Sequence, residues 1–350
     1  MKRILFPVPE ILSLMLALLL FNVAGAKANT ELVVAADGNG QFTNVQAAIN
    51  AAPQNTNLTN WCVILIKPGI YQELIYVQRE KHFVRLLGED PEQTVLTYDL
   101  HAGLPGPDGR PIGTFRTPST VIDADDFVAE NLTFQNSAGP RGQALAVRLD
   151  GDRIIFRNCR FLGWQDTILC NRGRHYYENC YIAGAVDFIF GGATEFYEHC
   201  HIHCLGNGYI TAASTPADHP FGYVFSHCRI TGENPGVQTY LGRPWRAYAS
   251  VTFLNTEMSG VVRPAGWDNW RDPAREQTAR YAEFKSTGPG ANPQARVKWA
   301  HPLTDRQAAA ITVGKVLGGS DAWNPQSILA RLPAVDFTSD VIGAVPAAKP

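Results

Sequence analysis

The sequence predicts an all-β protein, a right-handed parallel β-helix (a solenoid) with short capping helices. Three observations indicate this fold: a short phrase recurs along the middle of the chain, β-rich runs flank it, and no long helical pattern interrupts it. The phrases begin 20 to 28 residues apart, a period typical of solenoids. Because the leucine signature of leucine-rich repeats is missing, a parallel β-helix fits better.

Each copy of the phrase opens with a turn-tolerant polar residue and ends with an apolar one. Successive coils of a β-helix stack about 4.8 Å apart, so equivalent residues should form columns. The cysteines of four copies would form one column, either as small core hydrophobes or with a Cys180–Cys200 disulfide between neighbouring coils. The copies begin at Asn131, Asn158, Asn179, His199, His227 and Asn255.

The ends of the coil stack need caps. Residues Thr43–Ala52 have the pattern of a short amphipathic helix with Thr43 as N-cap, which would close the N-terminal end. Strands should precede the first phrase near Cys62–Ile66 and Phe83–Leu87. A second short helix is expected at Thr304–Gly314, outside the coils. The Gly- and Pro-rich segment Leu100–Thr117 is interpreted as a loop.

The N-terminus has the layout of a secretory signal peptide. Lys2 and Arg3 precede an apolar run, Ile11–Val23, and small residues follow it up to Ala28. The run is shorter than the roughly 20 residues of a spanning helix. We therefore expect cleavage of residues 1–28, a single domain over 29–345, no membrane association after cleavage, and a secreted or periplasmic location.

Composition excludes several functions. The net charge is −2 and no run of Lys or Arg occurs, so we expect no nucleic acid partner. The seven cysteines form no C-x-x-C pair and no zinc-type spacing. His199, His201 and His203 alternate, but His199 occupies the turn position that Asn fills elsewhere. We expect no metal, no cofactor and a monomer.

Two aspartates share one position in successive coils. Asp166 lies eight residues after Asn158, and Asp187 lies eight residues after Asn179. The two carboxyl groups should therefore lie side by side on one face. Carboxylates this close cannot both ionise freely, so the pKa of one should rise. An acid beside a charged nucleophile is what acyl transfer requires.

Three further polar residues should reach the same face. Arg243 precedes its next phrase by 12 residues, as Asp187 does, and its guanidinium would keep Asp187 ionised. Gln165 adjoins Asp166, and Gln143 lies in the preceding coil. Two amide donors above a carboxylate nucleophile suggest an oxyanion hole, although glutamine ladders also occur inside solenoids.

At these residues the chain resembles the pectin methylesterase family, along nearly the whole mature length. Five motifs occur in order, a combination that is far more specific than any one of them. Two departures stand out, since tyrosine is common in the family at the positions of Trp164 and Leu169. The motifs are Gly69-Ile-Tyr-Gln-Glu73, Gln143-Ala-Leu-Ala-Val-Arg148, Gly163-Trp-Gln-Asp-Thr167, Asp187-Phe-Ile-Phe-Gly191 and Leu241-Gly-Arg-Pro-Trp245.

The resemblance implies hydrolysis of the methyl esters of galacturonate units in pectin, releasing methanol through an anhydride on the enzyme. It implies that Asp187 is the nucleophile and that Asp166 is first general acid and then general base. It assigns the oxyanion donors to Gln143 and Gln165, and the orientation of Asp187 to Arg243. The substrate-binding residues that we predict are Trp245, Trp267, Phe190 and Val186.

Two other functions fit a β-helix. A pectate lyase needs a calcium-binding acidic cluster, and a polygalacturonase needs further acidic residues near the cleaved bond; neither accounts for the paired glutamines. A non-enzymatic adhesin or carbohydrate-binding protein does not require stacked aspartates with an arginine. Methanol release without new reducing or unsaturated ends distinguishes the esterase.

Overall fold

The computed structural model describes residues 30–335, so the predicted signal peptide at 1–28 and the predicted domain end at 345 lie outside the described residues. Helices are few and short: α1 (Val45–Ala51), α2 (Asp305–Ala309), α3 (Val313–Leu317) and α4 (Pro325–Leu329). Short 3-10 helices occupy Thr114–Arg116, Pro273–Gln277 and Pro293–Ala295. No helix in this part of the chain has the length and apolar character needed to cross a bilayer.

Strands make up most of the ordered structure. They are β1 (Thr30–Val34), β2 (Cys62–Ile66), β3 (Gly69–Gln72), β4 (Ile75–Val77), β5 (Val84–Gly88), β6 (Thr94–Tyr98), β7 (Thr120–Ile122), β8 (Val128–Glu130), β9 (Thr133–Asn136), β10 (Val147–Leu149), β11 (Ile154–Arg157), β12 (Arg160–Leu162), β13 (Ile168–Cys170), β14 (Arg174–Glu178), β15 (Tyr181–Gly191), β16 (Thr194–Glu198), β17 (His201–Ala213), β18 (Tyr223–Ser226), β19 (Arg229–Gly232), β20 (Thr239–Gly242), β21 (Ser250–Leu254), β22 (Glu257–Met258), β23 (Arg280–Phe284) and β24 (His301–Pro302).

The strands stack into parallel ladders, which confirms the right-handed parallel β-helix. The first ladder runs β1-β2-β5-β8-β11-β14-β16-β18-β21-β23-β24. A second runs β3-β6-β9-β12-β15-β17-β19-β22, and a third runs β4-β7-β10-β13-β15-β17-β20. The long strands β15 and β17 belong to both the second and the third ladder, so they join these two faces at the middle of the stack.

The repeated phrase marks the turn from the first ladder to the second. Its opening residue adopts a left-handed backbone in all six copies, with φ between 48° and 54°. Asn and His tolerate this conformation better than most residues, which explains the polar residue at the start of each phrase. Asn158 Nδ2 also donates to Asn131 Oδ1 at 3.3 Å, one rung away.

The interior is filled by columns of equivalent side chains. Ring centroids lie 5.1, 4.4, 4.4 and 4.5 Å apart along the aromatic column Phe156, Tyr177, Tyr197, Phe225 and Phe253. The cysteine column of the phrases also forms, and its thiols donate to backbone carbonyls, such as Cys200 Sγ to Tyr177 O at 3.6 Å. All seven cysteines are free and buried, so the core-hydrophobe interpretation is confirmed and the Cys180–Cys200 disulfide is wrong.

Short helices form where the sequence predicts caps, but their boundaries and N-cap residues differ from the predicted ones. Helix α1 closes the N-terminal end, but its N-cap is Asn44, whose Oδ1 accepts from Ala47 N at 2.8 Å, rather than Thr43. Strand β1 precedes the predicted first strand and pairs with β2. The single helix expected at Thr304–Gly314 is instead two, α2 and α3, because Thr312 starts a new helix as N-cap.

Candidate active site

A cavity of about 350 Å³ opens on the outer surface of the third ladder. Its lining combines five polar or charged side chains of the predicted set with aromatic walls. The structure therefore brings Asp166, Asp187 and Arg243 to one place, with both glutamines beside them. The lining residues are Thr114, Phe115, Gln143, Gln165, Asp166, Asp187, Phe190, Ala212, Arg243, Trp245 and Trp270.

Asp166 and Asp187 occupy equivalent positions on adjacent rungs. Gln165 forms a parallel bridge with Val186, and Asp166 N donates to Val186 O at 3.0 Å. Each aspartate therefore follows a bridged residue directly. Both have a left-handed backbone, with φ of 66° for Asp166 and 51° for Asp187, a conformation that Asp and Asn adopt more readily than most residues.

A β-bulge turns Asp187 out of the regular pleat. Val186 pairs with Tyr209, and Ile189 pairs with Thr211. The three residue steps from Val186 to Ile189 on β15 therefore lie opposite only two steps on β17, from Tyr209 to Thr211. Asp187 lies within this bulge. Bulges commonly redirect a side chain next to an active site, and here the bulge directs the Asp187 carboxylate into the cavity.

The two glutamines form a row with Val186 across three successive rungs. Gln143 bridges Gln165, and Gln165 bridges Val186; Ala144 N donates to Gln165 O at 3.1 Å. Both glutamines line the cavity, so their amide donors are available beside the carboxyl groups. Val186 holds its place in the row through its backbone and is not among the lining residues in the described part of the chain. Its side chain is half-buried, and its contact with substrate stays a prediction.

Arg243 binds Asp187 through two parallel hydrogen bonds. Its Nε lies 2.9 Å from Asp187 Oδ1, and a terminal nitrogen lies 2.7 Å from Oδ2. The residue lies on the predicted face, but its register matches Phe190 rather than Asp187, because Gly242 pairs with Thr211 and Thr211 with Ile189. The length of the arginine side chain covers that offset.

Both carboxyl groups are buried, and Arg243 makes their electrostatic surroundings different. Asp166 is 8% exposed and Asp187 is 6% exposed. Desolvation raises the pKa of Asp166 to about 8, and the neighbouring Asp187 charge adds to the rise. Desolvation also raises the pKa of Asp187, but the hydrogen bonds and charge of Arg243 oppose that rise. Asp166 is thus largely protonated at neutral pH, whereas Arg243 favours the ionised form of Asp187.

Apolar side chains form the floor and wall of the cavity. Leu145, Leu169, Phe190 and Ala212 make a small buried cluster on the outer face, against which Trp245 and Trp270 pack. The rings of Phe190 and Trp245 lie 5.7 Å apart. Leu169, one of the two departures from the family pattern, packs in this cluster next to Phe190, with which it pairs on the adjacent strand.

The prediction that Trp267 forms a wall of the sugar groove is wrong. Trp267 is 1% exposed, and its ring stacks on Tyr281 at 4.2 Å inside the coils. Trp270, three residues later, lines the cavity together with Trp245. Sequence reasoning also missed Thr114 and Phe115, which come from the segment interpreted as a loop; Phe115, a large apolar residue in a Gly- and Pro-rich loop, was the signal available.

No grouping of three or more His, Cys, Asp or Glu side chains within residues 30–335 is arranged to hold a metal ion. The alternating histidines of β17 bond to neighbouring rungs instead. His201 Nε2 lies 2.6 Å from Thr231 Oγ1, and His203 Nε2 lies 3.0 Å from Glu233. His199 adopts the left-handed turn with φ of 54°.

The fold and the site define a class: a parallel β-helix hydrolase with a buried aspartate pair, two amide donors and an arginine on the outer face of its third ladder. Comparison with known proteins agrees. The Pectinesterase family model matches residues 31–320. Pectinesterase 31 of Arabidopsis thaliana is 43% identical over 80% of this chain and 90% of its own length.

Solved structures give the same result. The pectin methylesterase from carrot has a TM-score of 0.79 and 31% identity, and the match covers 88% of this chain and 98% of that chain. A pectin methylesterase variant solved in complex with a hexasaccharide has a TM-score of 0.73 and 30% identity over 84% of this chain and 98% of that one. The chain belongs to the pectinesterase family, and its activity is the removal of methyl esters from pectin.

Proposed function

We propose that Asp187 is the nucleophile of this esterase and that Asp166 is its acid and base. The observation that carries the proposal is the pairing of a carboxyl whose pKa is raised to about 8 with a carboxylate one rung away that Arg243 binds through two hydrogen bonds. One group is ready to donate a proton and the other is ready to attack. Environments that push two pKa values apart are what acid and nucleophile roles require.

In the first half-reaction, an Asp187 oxygen attacks the C6 carbonyl carbon of a methyl-esterified galacturonate. The carbonyl oxygen becomes an oxyanion, which accepts hydrogen bonds from the side-chain amides of Gln143 and Gln165. When the C–O bond to the methoxy group breaks, the departing oxygen takes the proton of Asp166 and leaves as methanol. The products are methanol and an anhydride between the sugar and Asp187.

In the second half-reaction, the Asp166 carboxylate takes a proton from a water molecule as that water attacks the sugar side of the anhydride. The bond to Asp187 breaks, and Asp187 leaves as a carboxylate that Arg243 again stabilises. The sugar leaves as the free acid and ionises in solution. Asp166 is protonated once more, so the cycle closes without a metal or an organic cofactor.

Asp187→Asn and Asp166→Asn test these roles with little risk to the fold. Both positions are left-handed, and asparagine adopts that backbone as readily as aspartate. We expect each variant to lose at least about a thousandfold in kcat for methanol release, since removal of a nucleophile or its acid partner typically costs this much or more.

A matched control is available in Asp126. Its φ is 53°, and it binds Arg153 through two hydrogen bonds of 2.8 Å, as Asp187 binds Arg243, but it is not among the residues that line the cavity in the described chain. Asp126→Asn should retain wild-type kcat. Circular dichroism should show the same fold in all three variants. Wild-type turnover by Asp187→Asn would remove it as the nucleophile.

The aromatic walls support a proposal for how the chain of sugars lies. A similar pectin methylesterase was solved with a hexasaccharide, and here the aromatic rings of Phe190, Trp245 and Trp270 line the cavity around the carboxyl groups. Sugar rings stack on such faces. We propose that a stretch of pectin crosses the cavity along the rungs, so methylated polymer should be a better substrate than a methylated monomer.

We also propose that the protein acts after export, as a monomer. The support is the leader pattern over residues 1–28 and the polymeric nature of pectin. N-terminal sequencing of the mature protein should give a start after Ala26 or Ala28. Light scattering after size-exclusion chromatography should give the mass of one chain.

A further inference from the structure

The guanidinium of Arg243 is enclosed between two aromatic rings. Its Cζ lies 3.8 Å from the ring centroid of Tyr209 and 3.7 Å from that of Trp270. Two rings so close to one carbon cannot share a face of the guanidinium, so they cover opposite faces. Trp270 lies on the cavity side, since it lines the cavity, and Tyr209 lies behind the arginine.

One further ring and two further cations lie beside the two rings. Tyr209 stacks on Tyr240 at 5.4 Å with an angle of 12° between the rings. Arg263 lies over Tyr240 at 5.2 Å, and Arg275 lies over Trp270 at 5.8 Å. Arg263, Tyr240 and Arg275 therefore lie next to the group formed by Tyr209, Arg243 and Trp270.

Both rings are anchored by other parts of the fold. Tyr209 is on β17 and pairs with Val186 of the catalytic strand and with Tyr240 of β20. Trp270 is in the loop after the third ladder, where its backbone N donates to Asp268 Oδ1 at 2.8 Å. Arg275 ties that loop to the backbone carbonyls of Pro244 and Trp245. The rings are thus held independently of Arg243.

We propose that Tyr209 and Trp270 are positioning residues for the reaction: they fix the plane of the Arg243 guanidinium so that both of its hydrogen bonds reach the Asp187 carboxylate. This inference rests on the proposed roles of Asp187 and Arg243. A two-point hydrogen bond between planar groups needs coplanarity, and rings on both faces remove the rotations that would break it. Cation–π attraction also stabilises the charge that faces Asp187.

The proposal predicts a change that loss of a merely structural ring would not produce. When the guanidinium is free to rotate, Asp187 loses part of the interaction that opposes the desolvation of its carboxylate. Its pKa then rises, and the acidic limb of the pH profile of kcat/KM moves to higher pH. The other charged or titratable groups that face this pair are Asp166, Asp268 and Tyr209 itself, and the variants below leave both aspartates in place.

Tyr209→Leu and Tyr209→Phe are the decisive variants. Phenylalanine keeps the ring face and leucine removes it. We expect Tyr209→Leu to lower kcat about tenfold, the loss expected for one partly desolvated cation–π contact, with the acidic limb shifted upward and KM within about twofold. Tyr209→Phe should restore both kcat and the pH profile. Tyr240→Leu, which removes the next ring of the stack but not a contact with Arg243, should behave like the wild type.

The opposite face provides an independent variant should Tyr209→Leu fail to fold. Trp270→Leu should give the same upward shift of the acidic limb, with a higher KM as well because Trp270 lines the cavity; Trp270→Phe should restore the limb. If both leucine variants are folded by circular dichroism and their acidic limbs are unchanged, Tyr209 and Trp270 do not position Arg243 and the proposal is overturned. That outcome is distinct from failure of the proposed function, which active Asp187→Asn would show.

Discussion

Two aspartate–arginine pairs of this molecule share one geometry in different surroundings. Arg243 binds Asp187 at 2.9 and 2.7 Å, and Arg153 binds Asp126 at 2.8 and 2.8 Å. Both aspartates have a left-handed backbone, with φ of 51° and 53°. Neither the two-point hydrogen bond nor the backbone conformation therefore distinguishes a catalytic pair from a structural one.

The neighbours make the difference. Arg153 also contacts Asp152 at 2.9 Å and Asp321 at 3.5 Å, so its charge is shared among several carboxylates. Arg243 is covered by rings instead, and its carboxylate has a second, protonated carboxyl one rung away. In the mechanism proposed above, the cavity, the second carboxyl and the enclosed guanidinium are what distinguish the Asp187–Arg243 pair from a structural ion pair.

The largest contrast is expected from replacing each arginine by lysine. Arg243→Lys removes the planar fork that orients Asp187, so we expect kcat to fall by roughly a hundredfold or more. Arg153→Lys should leave kcat within about twofold, since its pair lies apart from the cavity. Steady-state methanol release measures both effects. Similar losses of kcat in the two variants would mean that the Arg243 pair is no more important for the reaction than the Arg153 pair.

The pH dependence of kcat/KM should reflect the site that contains Asp187 and Arg243, and it should not depend on the Asp126–Arg153 pair. The proposed mechanism requires ionised Asp187 and protonated Asp166, so activity should rise on the acidic side and fall as the pH passes about 8, where Asp166 loses its proton. Asp126→Asn should reproduce the wild-type profile. A plateau that continues well above this pH would show that Asp166 is not the acid.

The smallest effect is on stability, with opposite signs for the two sites. The folded-state pKa of Asp166 is about 8, above its ordinary value of 3.8, so folding favours its protonated form. The contribution of this group to stability is fully present below the ordinary value and is lost as the pH rises through about 8. Asp166→Asn cannot ionise, and we expect it to exceed wild-type stability by roughly 1–3 kcal/mol at alkaline pH and by less in acid.

Asp126→Asn should instead lower the free energy of unfolding by about 1 kcal/mol, the scale of a partly exposed ion pair. Urea unfolding of both variants at an acidic and an alkaline pH measures the two effects. Destabilisation by Asp166→Asn at alkaline pH would mean that its carboxylate is better solvated in the folded protein than its burial indicates.

The repeat explains what the sequence could predict. A polar residue in a left-handed turn recurs once per coil, and equal offsets from it placed Asp166 and Asp187 on adjacent rungs. Arg243 was placed on the right face but in the wrong register, because offsets counted through strands of unequal length accumulate errors. The bulge at Asp187 is one such irregularity, and no local sequence signal marks it.

Residues outside the repeat could not be placed in this way. Trp267 and Trp270 are three positions apart, and the turn between them decides which one reaches the cavity. Trp270 and Arg271 both adopt a left-handed backbone, with φ of 60° and 58°, which is uncommon for bulky residues. Phe115 likewise depends on the path of a loop. No local sequence signal marks Tyr209, since its contact with Arg243 joins residues of two different coils.

The left-handed conformation at Asp166 and Asp187 has an evolutionary consequence. Asparagine suits the same backbone, and aspartate and asparagine codons differ by a single nucleotide. With the roles proposed for these two residues, one point mutation is therefore expected to abolish catalysis and to leave the solenoid, the cavity and the aromatic walls in place. In a duplicated gene, a single substitution of this kind would give a lectin-like protein that binds the polysaccharide without hydrolysing its methyl esters.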